Sequence, residues 1–67
     1  MRLSIIQRHH ILHTNGILYI IYLDWIQDGI TRSLFIKQTD SLLDAVLFCS
    51  SLSTLTGWEF PDITHLT

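Results

Sequence analysis

The strongest apolar run in the chain is Ile17-Leu18-Tyr19-Ile20-Ile21-Tyr22-Leu23-Asp24-Trp25, bracketed by Asn15-Gly16 on one side and Asp28-Gly29 on the other. Both dipeptides tolerate the positive φ angles of a two-residue hairpin turn, and the segments around them are rich in β-branched and aromatic residues. The pattern predicts a three-stranded antiparallel meander over about residues 3–38, with this run as its central strand. The first segment, Leu3 to Thr14, is ambiguous by itself, because Ile5-Ile6 and Ile11-Leu12 fit neither the helical period nor strict alternation. The turn decides it, since a hairpin at Asn15-Gly16 needs a partner strand before it.

With those two residues as the turn, Thr14 pairs with Ile17, Leu12 with Tyr19, His10 with Ile21, Arg8 with Leu23 and Ile6 with Trp25. The second turn sets Leu34 opposite Leu23 and Ile36 opposite Ile21. Side chains alternate between the two faces of a strand. One face therefore collects Ile6, Leu12, Tyr19, Ile21, Leu23, Trp25, Leu34 and Ile36, interrupted by Arg8, His10 and Arg32, and is the expected core face. The other collects Ile5, Ile11, Ile20, Tyr22, Ile26 and Phe35 among polar residues.

A helix follows over about residues 40–56. Thr39, Asp40 and Ser41 are candidate N-caps, and Asp44 lies three residues after Ser41 in capping-box spacing. Leu42, Ala45, Val46, Cys49, Leu52 and Leu55 recur at steps of three and four and form one apolar stripe. Gly57 is a candidate left-handed C-cap, and Pro61 prevents the helix from resuming. Beyond it, Trp58-Glu59-Phe60 reads as a short fourth strand or as a lid on the core, and residues 62–67 as a loosely held tail. The expected fold is α+β in one small domain, residues 1–67: a βββα arrangement with the helix on one face of the sheet and a C-terminal segment over 57–67.

Composition sharpens this picture. With 67 residues, 48% of them hydrophobic, and a mean hydropathy of +0.35, the chain has more apolar surface than so small an interior hides, since a domain this size buries only about 60% of its unfolded surface. No run approaches the ~18 apolar residues of a membrane span, and the N-terminal stretch is broken by Gln7 and Arg8 before a signal core develops. Cys49 is the only cysteine, so no internal disulfide forms, and a reducing, cytoplasmic setting is expected. All four bases, Arg2, Arg8, Arg32 and Lys37, fall in residues 1–37 with two acids, whereas residues 38–67 carry Asp40, Asp44, Glu59 and Asp62 and no base.

The chain's order of elements is similar to that of the small N-terminal domains of tyrosine recombinases and of plant transcription factors that read DNA with a three-stranded sheet. That likeness implies basic and aromatic residues on the exposed sheet face. Here that face would present Ile20, Tyr22, Asp24 and Phe35, and four scattered bases do not make the dense positive stripe that phosphate binding requires. Nucleic acid is therefore not the expected partner, and a homodimeric, sheet-type nucleic-acid-binding or regulatory protein stands as the alternative reading.

Candidate chemistry is sparse. On a strand His9 and His10 face opposite ways and His9 and His13 stand about four times 3.3 Å apart, so these three do not share one metal ion, and a site would arise only if the segment were helical or if His65 or Asp24 folded in. Cys49 falls on the helix's buried stripe, away from any base that would activate it. No two carboxylates converge, all three glycines serve turns or a cap, and a sheet with one helix offers little concavity for a small-molecule substrate. The expectation is a non-enzymatic module without metal or cofactor, whose partner is another protein or a second copy. Ile11, Ile20, Tyr22, Ile26 and Phe35 are the expected partner-binding residues, centred on the Tyr22–Phe35 cross-strand pair. Arg2, Arg8, Arg32 and Lys37 read as charges guarding the sheet edges. Such small, motif-free chains act stoichiometrically as inhibitors, anti-CRISPR and other phage-encoded anti-defence proteins among them.

Overall fold

Asp28 and Gly29 adopt φ angles of 53° and 77°, the pair of left-handed residues that a type I′ turn demands. They join two antiparallel strands, β2 (Ile17–Gln27) and β3 (Ile30–Thr39). The computed structural model describes residues 1–9 and 16–66. It shows one three-stranded antiparallel sheet in the order β1-β2-β3, with β1 at Arg2–His9, followed by a helix α1 at Leu42–Thr56. The βββα arrangement read from the sequence is the observed one. No helix among the described residues is long and apolar enough to cross a membrane.

The first hairpin departs from expectation. Leu3 pairs with Leu23, Ile5 with Ile21, and His9 with Ile17, the last pair among the described residues. The predicted pairing placed Arg8 against Leu23, five residues out of step, and a slip by an odd number turns every β1 side chain to the other face. Ile5 is thus a core residue at 1% exposure, whereas Ile6, expected in the core, lies on the opposite face at 44%. The physical reason is burial. The observed register sets two large aliphatics opposite two others, while the predicted one drove Arg8 and His10 into the interior. Thr14, Leu12 and His10, on which that prediction rested, lie outside the described residues.

The second hairpin keeps the predicted Leu23–Leu34 and Tyr22–Phe35 pairs. A bulge at Ile21/Tyr22 then sets Lys37, not Ile36, opposite Ile21. One extra residue on β3 lets Ile36 stay packed against the core while Lys37 swings its ammonium to 4.8 Å from the centre of the Phe48 ring. A cation over an aromatic face at an exposed site contributes about 0.5–1 kcal/mol.

Ser41 is the N-cap of α1: its Oγ accepts from the Asp44 N–H at 3.2 Å, and its carbonyl accepts from Ala45 at 3.0 Å. Gly57 closes the helix at φ 77°, donating its N–H to the Ser53 carbonyl, a conformation that a side chain would strain. Between these caps the helix lays Ala45 and Cys49, both fully buried, on Leu3, Ile5, Ile21 and Leu23, with Tyr19, Trp25, Val46, Leu52 and Trp58 packed around them. The Ser53 hydroxyl donates to the Trp58 carbonyl at 2.7 Å and holds the exit turn against the last helical turn.

The C-terminal segment is attached to the β1 edge. Glu59 makes a single parallel bridge to Arg2: its N–H donates to the Met1 carbonyl at 3.1 Å and its carbonyl accepts from the Leu3 N–H at 2.9 Å. The next donor in a parallel ladder would be residue 61, which is Pro61, so the bridge stays one residue long. The segment expected to be a loose tail is instead docked. Asp62 Oδ1 accepts from both the N–H and the hydroxyl of Thr64, a short 3₁₀ turn spans Thr64–Leu66, and Ile63 and Leu66 pack on the core. His65 Nε2 donates to the Ile5 carbonyl at 3.1 Å. This attachment was not visible in the sequence, where no hydrophobic period survives over so few residues.

Candidate protein-binding surface

Cross-strand partners share a face, so the register fixes what the sheet presents on the side away from α1. Its rows read Arg2–Asp24–Ser33, then Ser4–Tyr22–Phe35, then Ile6–Ile20–Gln38, with Ile26 and Thr31 beyond the first row. Tyr22 and Phe35 meet edge to face, their ring centroids 6.3 Å apart and their planes at 77°. That geometry matches the positive ring edge to the negative face and stabilises the sheet while leaving Phe35 55% exposed. Asp24 accepts a 2.7 Å hydrogen bond from the Ser33 hydroxyl, so the carboxylate is held in line between the strands.

The expected contact residues do not all present themselves. Ile26 is 76% exposed and Phe35 is more than half exposed, while Tyr22 is half-buried under its ring neighbour. Ile20, by contrast, is buried at 7%, as is Leu18 at 5%, so Ile20 has little area left to offer a partner. Ile11 lies outside the described residues. Ile6 belongs on this face and was missed because the predicted register turned it inward. The exposed apolar group is therefore Ile6, Phe35 and Ile26 with the Tyr22 ring among them, and Arg2, Asp24, Ser33 and Gln38 lie beside it.

At the Ile26 end this surface runs into an open concavity of about 680 Å³, walled by Met1, Trp25, Ile26 and Thr31 with Arg2, Asp24 and Glu59 at its rim. It forms because β2 continues to Gln27 after its β1 partner has ended at Arg2, and it gives the molecule a larger hollow than the sequence suggested. Arg2 Nε donates to Glu59 Oε2 at 3.1 Å, both side chains being more than half exposed. The Glu59 hydrogen bond and charge raise the Arg2 pKa. At such exposure solvent screens the pair, so it adds little to stability.

The described residues with candidate catalytic or metal chemistry lie away from this apolar group. Burial pushes the Cys49 thiol up to about 11, so the group stays protonated and packs as a small apolar side chain. Among the described residues no three His, Cys, Asp or Glu side chains come together to hold a metal ion. His9 is exposed on β1 and His65 is engaged with the Ile5 carbonyl, while His10 and His13 lie outside the described residues. Arg8 and Arg32, on the two outer strands, are exposed. No protein-family model, no curated protein and no solved structure matches this chain.

Proposed function

We propose that this chain is a non-enzymatic, stoichiometric protein-binding module that docks the outer face of its sheet onto a larger protein. The observation that carries this reading is the distribution of its large apolar side chains. Among the described residues Met1, Ile6, Ile26, Ile30, Leu34, Phe35, Leu43, Leu47, Leu55 and Phe60 are exposed, outnumbering the buried leucines and isoleucines. Scattered exposed aliphatics are ordinary, but an aromatic and two isoleucines on one face beside a hollow form the kind of anchor group found at the centre of interfaces. The charges beside it, Arg2 and Asp24, are already partnered by Glu59 and Ser33, which lowers the desolvation penalty of covering them.

Binding of this kind suits an inhibitor that works by occupying a functional surface of its target, and phage anti-defence proteins of the anti-CRISPR type are the class we favour. Small size and the lack of catalytic motifs support that assignment, and a cytoplasmic location goes with it. The test is affinity capture from the native cell followed by mass spectrometry, comparing the wild type with Phe35→Glu and Ile26→Glu. Both positions are exposed, so the variants are expected to keep the wild-type circular dichroism and melting temperature while losing the captured protein by tenfold or more, the ~1.4 kcal/mol that one anchor supplies. Retention of the partner by both variants would remove the outer face from the reading.

A further inference from the structure

The two edges of the sheet are treated differently. The β1 edge is occupied by Glu59 and by His65, whereas among the described residues nothing is hydrogen-bonded along the outer edge of β3, whose residues are exposed except Ile36 and Thr39. In the two-residue hairpin Gln27 and Ile30 form the closing pair, so Ile30, Arg32 and Leu34 direct their backbone groups at β2. Thr31, Ser33 and Phe35 direct theirs outward.

On the helix side of the sheet one row is made of leucines alone, Leu3–Leu23–Leu34. Its exposure climbs from 0% through 6% to 55% at the open edge. The row stops where the sheet stops. Phe48 and Leu55, seven residues apart, share a flank of α1, and Phe48 lies against Lys37 of β3. Seven residues on from Phe48, Leu55 is 82% exposed.

We propose that the open edge of β3 pairs with β3 of a second copy of this chain, antiparallel, with Leu34 opposite Leu34 on the two-fold axis. This register makes the leucine row continuous across six strands. It gives four backbone hydrogen bonds, two from each Ser33–Phe35 pair, and sets Arg32 opposite Ile36, beyond which the bulge interrupts the ladder, so that no like charges are paired directly. Lys37, which would otherwise protect the edge, is drawn back over Phe48. The axis stands perpendicular to the sheet, so both helices lie on one face and the two Phe35 rings on the other. A patch with a two-fold axis satisfies itself. The contact is small beside the ~20–30 residues a side of a standard interface, so the pair is expected to exchange with monomer at about micromolar to tens of micromolar concentrations.

Self-pairing here is independent of docking by the outer face, and Leu34 and Phe35 lie on opposite sides of the sheet, so the two ideas fail separately. Sedimentation equilibrium of the full chain is expected to show the mass rising from 7.8 kDa toward twice that value with concentration. Leu34→Lys, which sets two ammonium groups face to face at an already exposed position, is expected to stay monomeric and folded. Leu34→Cys is expected to give a disulfide-linked dimer under mild oxidation, because a non-hydrogen-bonded pair brings its Cα atoms to about 4.5 Å. Thr31→Cys, which lies off the two-fold axis and does not meet its own copy, is expected not to. A wild type that remains monomeric to about 0.5 mM, well above the exchange range expected of a small interface, would overturn the proposal. So would a Leu34→Lys variant that still pairs, or a Thr31→Cys chain that cross-links as readily as Leu34→Cys.

Discussion

Leu3 shows how much depends on single side chains in a chain of this size. It is fully buried, pairs with Leu23, and donates its backbone N–H to the Glu59 carbonyl. A core this small supplies only ~3–5 kcal/mol of net stability, and removing a buried leucine costs about 2–5 kcal/mol. Leu3→Ala is therefore expected to leave the chain largely unfolded at 25 °C, whereas Leu43→Ala, at a position 66% exposed, is expected to shift stability by less than about 0.5 kcal/mol. Urea titration followed by tryptophan fluorescence measures both. Equal effects would mean that the core is not where the burial places it. Cys49 belongs to the same scale: its raised pKa follows from being sealed beneath the sheet, and a thiol reagent is expected to reach it only as fast as the fold opens.

At the level of elements, Asp62 is the residue through which pH reaches the tail. Its carboxylate accepts two hydrogen bonds from Thr64, which with the charges of His65 and Arg2 hold its pKa below the ordinary 3.8. A depressed carboxylate adds stability above the unfolded value and loses it as pH falls through the folded one. The Thr64 amide resonance is thus expected to titrate at a pH below 3.8, with no such step in Asp62→Ala. A midpoint above the ordinary value would contradict the arrangement. The elements themselves were differently legible in the sequence. The helix was plain because Ser41, Asp44 and Gly57 mark its ends; its predicted stripe holds at Ala45, Val46, Cys49 and Leu52 but fails at Leu55, which is 82% exposed beside the C-cap. The Asp28-Gly29 hairpin was plain because its turn type fixes its pairing. The first hairpin was misread because a turn signal at Asn15-Gly16 was given precedence over the burial of Leu3 and Ile5. Register follows the core when the two conflict. The mispairing also hid Ile6 from the outer face and placed Ile5 there, so the candidate surface was found through Tyr22, Ile26 and Phe35 alone. The bulge at Ile36 has no local signature, since it arises from reconciling two packing demands.

Taken whole, the described residues give one sheet face covered, one face greasy, one edge closed and one open. Only the closed edge is the work of the last ten residues, and closing it requires backbone pairing at Glu59, a ring nitrogen at His65 and a proline that prevents the ladder from extending. A chain ended at Gly57 loses all three and bares β1 while β3 stays open. With β3 pairing as proposed and the bared β1 edge open to a further strand, such a chain is expected to add copies at both ends and to grow into filaments. Turbidity and thioflavin fluorescence that develop in the truncated chain, but not in the full one at equal concentration, are the expected result, and a clear solution would contradict it. If β3 pairs as proposed, the short segment after the helix is a terminator, because it closes the β1 edge and stops growth at a pair.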